Sequence, residues 1–453
     1  MRILYSERFF FVGILALMLL AYFGIGTYRH LPYKIEGDGK YYYQYLVSGF
    51  YDHDLDFSNN YRQPKYDWMA TELDNYQLRD MVNAQTKRPA NLFSTGVAIL
   101  WLPFFLLAFI LSHVFHAVGL DIDLNPWGKF FQYTVMLASV VYGWLTLRLW
   151  YEIAKHFFDK QLVIIALWLI SFLSPFFYYA AVESSMSHVY DVFAYTLLLW
   201  CIVRSRQTNY TQYLPWVAVA AAVSVLVRTQ NAPSIALMGV FVWIDYYRIT
   251  KHWLSARLLI TAFVFLLCIL PFPLTNLYLF GKPFTVPQGS HFMIWDNPQL
   301  LNLLFSWRNG FFSYHPLLLV GFIGYGAWLY QRFQQKDTLR WLWLVMMMAF
   351  LGQVYVNACV IDWWAGHSFG QRRLLSSLPL FVLGLCWVID AANRRWNLLI
   401  HTATSPTLLL LCGLGIYLMF IHIFIWNYEE PHNIYTWIFY TAPTKLASYF
   451  GGN

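Results

Sequence analysis

The carboxylates, guanidinium groups and imidazoles of this chain gather in a few short polar stretches, and each stretch suits a definite chemistry. Glu36-Gly37-Asp38-Gly39-Lys40 sets two carboxylates two residues apart, between glycines that let the backbone bend close to a ligand. Such a pair can serve as a general base or as part of a metal site. The competing reading is a Gly-Asp-Gly turn whose Asp bonds its own backbone. Asp52, Asp54 and Asp56 alternate shortly afterwards, but without the glycine and distal Glu of a calcium loop, and read as a solvated acidic turn. Glu183 and His188 flank Ser-Ser-Met-Ser at the end of an apolar run, with Asp191 one turn beyond. Ionisable groups there are costly unless paired or wet.

Arg228-Thr-Gln-Asn231 places a cation and two amides between two apolar runs. Further on come His291, Trp307-Arg308-Asn-Gly310, Tyr314-His-Pro316 and Asp362-Trp-Trp364-Ala-Gly-His367-Ser-Phe-Gly-Gln-Arg372-Arg373. Adjacent arginines beside tryptophans and glycines suit an anion, and an Arg fork matches a phosphate with two hydrogen bonds. Attraction to anionic lipid headgroups is the competing explanation, and a specific lipid-phosphate site is the favoured one.

The elements that position these residues are set by composition. Of 453 residues 59% are hydrophobic and 12% charged, about half the charged fraction of a typical soluble domain, so the chain is read as an integral membrane protein. Aromatics make up 20%, including 21 Trp and 33 Tyr, which favour the headgroup level and imply many interface crossings. The formal charge of +7 is dispersed as pairs and triplets between apolar runs, which argues against a nucleic-acid partner. The five cysteines lie in or beside apolar runs without CxxC spacing, so neither a disulfide framework nor a zinc site is expected. Arg2 and Arg8 precede an apolar run that is long enough to span, which is read as a retained first helix.

Runs 9–28, 130–150, 162–180, 188–203, 212–227, 232–247, 258–280, 315–331, 341–357, 374–391 and 405–426 predict about eleven spans in a single all-α domain covering 1–453. The clusters Arg148/Lys155/Lys160, Arg204/Arg206, Arg248/Lys251/Arg257, Arg332/Lys336/Arg340 and Arg394/Arg395 then alternate correctly as cytoplasmic loops. A further run, 94–118, would break that alternation if it crossed. With Pro103 inside it, the run is predicted to lie in the outer interface or to re-enter. The outer face collects 29–129, 181–187, 228–231, 281–314, 358–373 and a short tail, 427–453, while the N-terminus stays inside. Asp38, Glu183, Arg228, Arg308, Arg372 and Arg373 therefore share a side. No internal repeat is evident, and the middles of the spans are mostly apolar, which weighs against a transporter or flippase for a lipid-linked sugar.

Taken in order, these motifs resemble the integral-membrane glycosyltransferases of the GT-C fold, especially the bacterial branch related to lipid A aminoarabinose transferases and protein O-mannosyltransferases. The resemblance rests on Glu36-Gly-Asp-Gly-Lys-Tyr-Tyr42-Tyr with Asp54-Leu-Asp-Phe57, on Asn91-Leu-Phe-Ser-Thr-Gly96 with Trp101-Leu-Pro103, and on Ser184-Ser-Met-Ser-His188. It continues through Arg228-Thr-Gln-Asn231 and Trp363-Trp-Ala-Gly-His-Ser-Phe-Gly-Gln-Arg-Arg373, so it covers nearly the whole chain. The proline pair that many relatives carry near 94–96 is absent.

The resemblance implies a GT-C-like architecture with interfacial helices in the first outer loop, set in the inner membrane of a bacterium. It implies transfer, with inversion, from a polyprenyl-phosphate sugar to a hydroxyl of an envelope glycan, lipid or protein. Asp38 is the positional match for the catalytic base, with Glu36 as competitor. Arg372, Arg373 and Arg308 are expected at the donor phosphate, and Tyr42, Glu183, His188, Arg228, Gln230, Asn231, Trp364 and His367 around the sugar or acceptor. No cofactor is expected. A metal-dependent variant of the reaction would use Asp38 and Glu183 as ligands.

Overall fold

The computed structural model describes residues 6–28, 34–62, 82–207, 210–285, 287–366, 368–396, 404–425 and 434–445. His367 and much of the tail 427–453 fall outside them. Helix is the only extended regular structure among the described residues, apart from isolated bridges between Val82 and Pro89 and between Met293 and Val360. In chain order the principal helices are α1 (Glu7–Tyr28), α2 (Gly39–Val47), α3 (Gly96–Ala117), α4 (Lys129–Ala154), α5 (Lys160–Leu173), α6 (His188–Gln207) and α7 (Tyr210–Val227). They continue as α8 (Ala232–Thr250), α9 (Ala256–Ile269), α10 (Pro271–Phe280), α11 (Pro316–Gln334), α12 (Arg340–Ala358), α13 (Leu378–Trp396) and α14 (Thr404–Phe420).

Among the described residues eight helices are long and apolar enough to cross a membrane, with α9 and α10 counting as one. The chain is thus an all-α, multi-pass membrane protein. Of the expected spans outside this set, α5 is too short, and α6, α8 and α11 are helices with more polar side chains. Segment 256–280 is only 6% buried, and Leu259, Ile260, Phe263, Leu266 and Leu267 all point away from the protein, as a lipid-facing surface requires.

Helix ends follow from local chemistry. Asp159 accepts the Gln161 N–H at 2.8 Å and starts α5. Ser174-Pro175 stops it, because the residue before a proline is driven out of the helical region. Pro271 separates α9 from α10, and Gly281, at φ +71°, ends α10. At the centre, α1 and α4 run antiparallel. The Trp144 indole donates to the Phe11 carbonyl at 2.9 Å, the Tyr22 hydroxyl donates to the Tyr133 carbonyl at 2.6 Å, and Arg148 pairs with Glu7 at 2.8 Å. Helix α6 runs parallel to α4, with the Trp150 indole donating to Thr196 Oγ1 at 3.0 Å. Gly321, Gly324 and Gly384 let α11 and α13 touch backbone to backbone, the close packing that small residues permit in membranes.

Of the two placements expected for 94–118, in the interface or re-entering, the interfacial one does not fit. Helix α3 continues through Pro103 for 22 residues, roughly 33 Å at 1.5 Å per residue. Its outward stripe is Ile99, Leu102, Leu106, Ile110 and Val114, while Trp101, Phe105 and Ala108 face inward. An interfacial helix needs a polar outer face, and this one is apolar all round, so it belongs in hydrocarbon. Its start packs on Leu226 and Val227 at the end of α7, and the Leu100 carbonyl accepts from Tyr142, midway along α4. Its end, at Phe115, touches Phe130 at the start of α4. The helix therefore runs antiparallel to α4.

Candidate functional site

Beyond Pro175 the chain winds through one π-helical turn, Tyr178–Val182, and releases the stretch Glu183–Ser187 before α6 begins. The first polar segment docks on this stretch. The Glu36 N–H donates to Ser185 Oγ at 3.1 Å, and the Ser185 hydroxyl donates back to the Glu36 carbonyl at 3.0 Å. Gly37 sits at φ +49°, and a Cβ there would come within 2.7 Å of Met186 Cε. A Cβ on Gly39 would fall 2.5 Å from Ser185 Cβ. The two glycines that flank Asp38 are thus what allow the approach.

Asp38 occupies the N-cap position of α2, yet its side chain caps nothing. The turn reading, in which the carboxylate bonds its own backbone, is not what the geometry gives. Instead, the Arg372 guanidinium has Asp38, Glu183, Tyr42 and Tyr179 as its electrostatic neighbours. Met186 Sδ lies 3.8 Å from Arg372 Nη1, and among the described residues no carboxylate reaches ion-pair distance of this arginine. Burial pushes the Glu183 carboxyl up to about 7, Arg372 opposes that shift, and Glu36 and Asp38 add to it. Tyr42, fully buried, is held well above the ordinary phenol range, first by burial and then by Asp38. Ser187 bonds its hydroxyl, and its ring meets Phe93 at 5.2 Å and Trp101 at 6.0 Å.

Arg373 faces elsewhere. Its Nη2 reaches both carboxylate oxygens of Asp362, at 2.7 and 2.8 Å, and its Nη1 donates to the Asp362 carbonyl at 2.8 Å. That fork ties down the segment that delivers Arg372. Arg308 lies 4.1 Å over the Trp364 ring, while Asn309 donates to the carbonyls of Trp364 and Gly366 at 2.9 and 3.0 Å. These contacts shape the 362–366 loop, and none of them joins Arg308 or Trp364 to Asp38.

Beneath the cluster lies a buried polar network. Arg228 Nη1 is 3.2 Å from His188 Nδ1 and 3.9 Å from Asp191 Oδ2. The Asn231 amide donates to Asp191 at 2.5 Å, and the Gln353 amide donates to Gln230 O at 2.9 Å and Asn231 Oδ1 at 3.2 Å. Gln230 in turn donates to the Arg373 carbonyl at 3.2 Å. The Tyr179 ring packs on His188 at 4.8 Å, and Tyr179 Oη accepts the Phe369 N–H at 3.1 Å. The sequence pattern thus brought together Asp38, Glu36, Glu183, Tyr42 and Arg372 in one cluster, and His188, Arg228, Gln230 and Asn231 in the layer below it.

Sequence reasoning missed Tyr179, Met186, Ser185, Gln353 and the Asp362 partner of Arg373. Gln353, an amide inside an apolar run, and Asp362, in the same polar segment as Arg373, carried a signal. Among the described residues no three His, Cys, Asp or Glu side chains cluster as a metal site would need. The acidic turn spends its carboxylates on itself, with Asp54 accepting from Ser48 at 2.8 Å and Asp56 from the Ser58 N–H at 3.0 Å. No protein-family model matches this chain, and no curated protein does so.

Proposed function

We propose that the chain is a GT-C-type glycosyltransferase that moves a sugar from a polyprenyl-phosphate donor to a hydroxyl of an envelope glycan, lipid or protein. The observation that carries this reading is the meeting of Asp38, Glu183 and the Arg372 guanidinium, with the Asp38 carboxylate spent on no cap. Asp38 takes the proton of the acceptor hydroxyl as the acceptor oxygen bonds to the anomeric carbon. The bond from that carbon to the phosphate oxygen breaks on the opposite face, its electron pair leaves with the polyprenyl phosphate, and the configuration inverts. Arg372 stabilises the charge that develops on the phosphate. Arg373, forked on Asp362, holds Arg372 in place. Glu183, neutral in part near pH 7, offers the sugar both a donor and an acceptor. Between Glu36 and Asp38, Asp38 is favoured as the base because it is the one of the two whose carboxylate acts on the Arg372 guanidinium.

The topology that goes with this reading has the N-terminus in the cytoplasm, about eleven spans, and the site on the outer face of a bacterial inner membrane. Segment 94–118 then re-enters, so the alternation of basic loops survives.

The test is mass spectrometry of envelope glycans and lipid carriers from cells that express the wild-type chain or no chain. Loss of one sugar from a glycan, with accumulation of its polyprenyl-phosphate form, is expected without the chain. Identical glycan and carrier profiles in the two cells would reject sugar transfer.

A further inference from the structure

Against Phe93, whose ring meets that of Tyr42 at 5.2 Å, the structure holds a cleft of about 240 Å³. Its walls come from α2, the segment that leads into α3, the turn after Arg228, α10 and the loop beyond it. Resting on the sugar-transfer reading, we infer that this cleft binds the acceptor and that the acceptor's bound portion is a neutral saccharide.

The lining carries the argument, because none of the residues that form it bears a formal charge. A phosphate has no cation to meet there, so the donor headgroup belongs with Arg372 and the cleft is left to the other substrate. Hydroxyls come from Ser94, Thr95, Thr229 and Thr275, and amides from Asn276 and Gln288. Their hydrogen-bonding capacity is only partly used. Thr95 Oγ1 is buried without a partner among the described residues. The Asn276 amide donates to the Pro283 carbonyl at 3.3 Å, and the Gln288 amide to the Leu92 carbonyl at 3.0 Å. Those bonds fix both side chains, and among the described residues nothing donates to their carbonyl oxygens. Tyr45, whose hydroxyl donates to the Phe93 carbonyl at 2.8 Å, joins Phe93 and Phe272 as the aromatic surface.

A sugar ring matches this pattern, since it brings many donors and acceptors together with an apolar face. An acyl chain would leave the hydroxyls and amides without partners. The volume is below the roughly 300–1,000 Å³ of sites that enclose drug-sized ligands, which suits one ring of a glycan whose remainder lies outside. The cleft and the Asp38 cluster share two walls. Tyr42 backs Phe93, and Thr229 follows Arg228 in the chain.

The test uses the full chain in detergent, passed over beads carrying neutral mono- and disaccharides or the matching uronic acids. At least one neutral sugar should retain the wild type, tenfold or more above its acidic counterpart. Thr285→Trp, which fills the cleft from its loop, should abolish retention, and Gln288→Ala should weaken it several-fold while the melting temperature stays at the wild-type value. If Thr285→Trp fails to fold, Gln288→Ala decides alone. Retention by no neutral sugar, or equal retention by wild type and Gln288→Ala, would overturn the assignment. Asp38→Asn should still be retained. Retention without any transfer by the wild type would reject the transferase reading and leave the cleft standing. Transfer with an acceptor KM indifferent to Gln288→Ala would reject the cleft alone.

Discussion

Replacing Glu183 by Gln should change how donor binding depends on pH, and the direction follows from the carboxyl's surroundings. Burial, with Glu36 and Asp38 nearby, raises this carboxyl from 4.5 to about 7 against the pull of Arg372. Below about pH 6 it is neutral and does not compete for Arg372. Above about pH 8 it is charged and competes with an incoming phosphate for the same guanidinium. A sugar phosphodiester does not itself titrate in this window. If binding is linked to one proton, donor affinity stays flat below the raised pKa. It then falls by up to about tenfold, or 1.4 kcal/mol, for each pH unit above it. Glu183→Gln should bind the donor with a flat profile from pH 6 to 8.5 and should overtake the wild type at the alkaline end. The stability sign agrees, because a carboxyl with a raised folded-state pKa favours the fold below its unfolded value of 4.5 and loses that advantage as pH rises through about 7. The variant should therefore melt above the wild type at pH 8 and with it at pH 4. Titration of a fluorescent polyprenyl-phosphate sugar into nanodisc-embedded protein reads the affinity. A slope above pH 7 that is the same in wild type and Glu183→Gln would refute this account of the cluster.

Other perturbations separate the roles of neighbouring groups. Gly39→Ala should destabilise the chain by about 1–3 kcal/mol through overpacking on Ser185, read as a lower melting temperature, and an unchanged melt would contradict the close approach described. Arg372→Ala should weaken donor binding at least tenfold with little change in melting. Arg373→Ala should first lower the melting temperature, since it breaks the fork on Asp362, and equal effects of the two would merge roles kept apart here. Arg228→Met should cost about 3–5 kcal/mol by stranding the buried Asp191, and adding Asp191→Asn should recover part of the loss. No recovery in the double variant would remove the charge pairing from the explanation.

The parts of the site that the sequence revealed are those with a local cost. Gly37 and Gly39 mark a backbone that another segment approaches, Arg372 stands where a cation is unexpected, and Glu183 and His188 end an apolar run. What stayed hidden depends on contacts between distant segments. Nothing in the type of Tyr179 or Met186 tells that they pack on His188 and Gly37. Nor does the Arg372-Arg373 pair say which member turns toward Asp38 and which toward Asp362. For 94–118 the interfacial placement fails: Pro103 does not interrupt the helix, and the polar face that an interfacial helix needs is missing, which leaves re-entry as the expected alternative. The multi-helical, membrane-embedded character was plain from composition. The three expected spans that are helical but less apolar, α6, α8 and α11, owe their polar residues partly to the network beneath the site, such as Asp191 in α6.

The most direct measurement is single-turnover sugar transfer by Asp38→Asn in nanodiscs loaded with a polyprenyl-phosphate sugar and its acceptor. Transfer should fall by at least about a thousandfold, or 4 kcal/mol in the barrier, with donor affinity within a few-fold of the wild type. Transfer at a wild-type rate by Asp38→Asn would contradict the central claim.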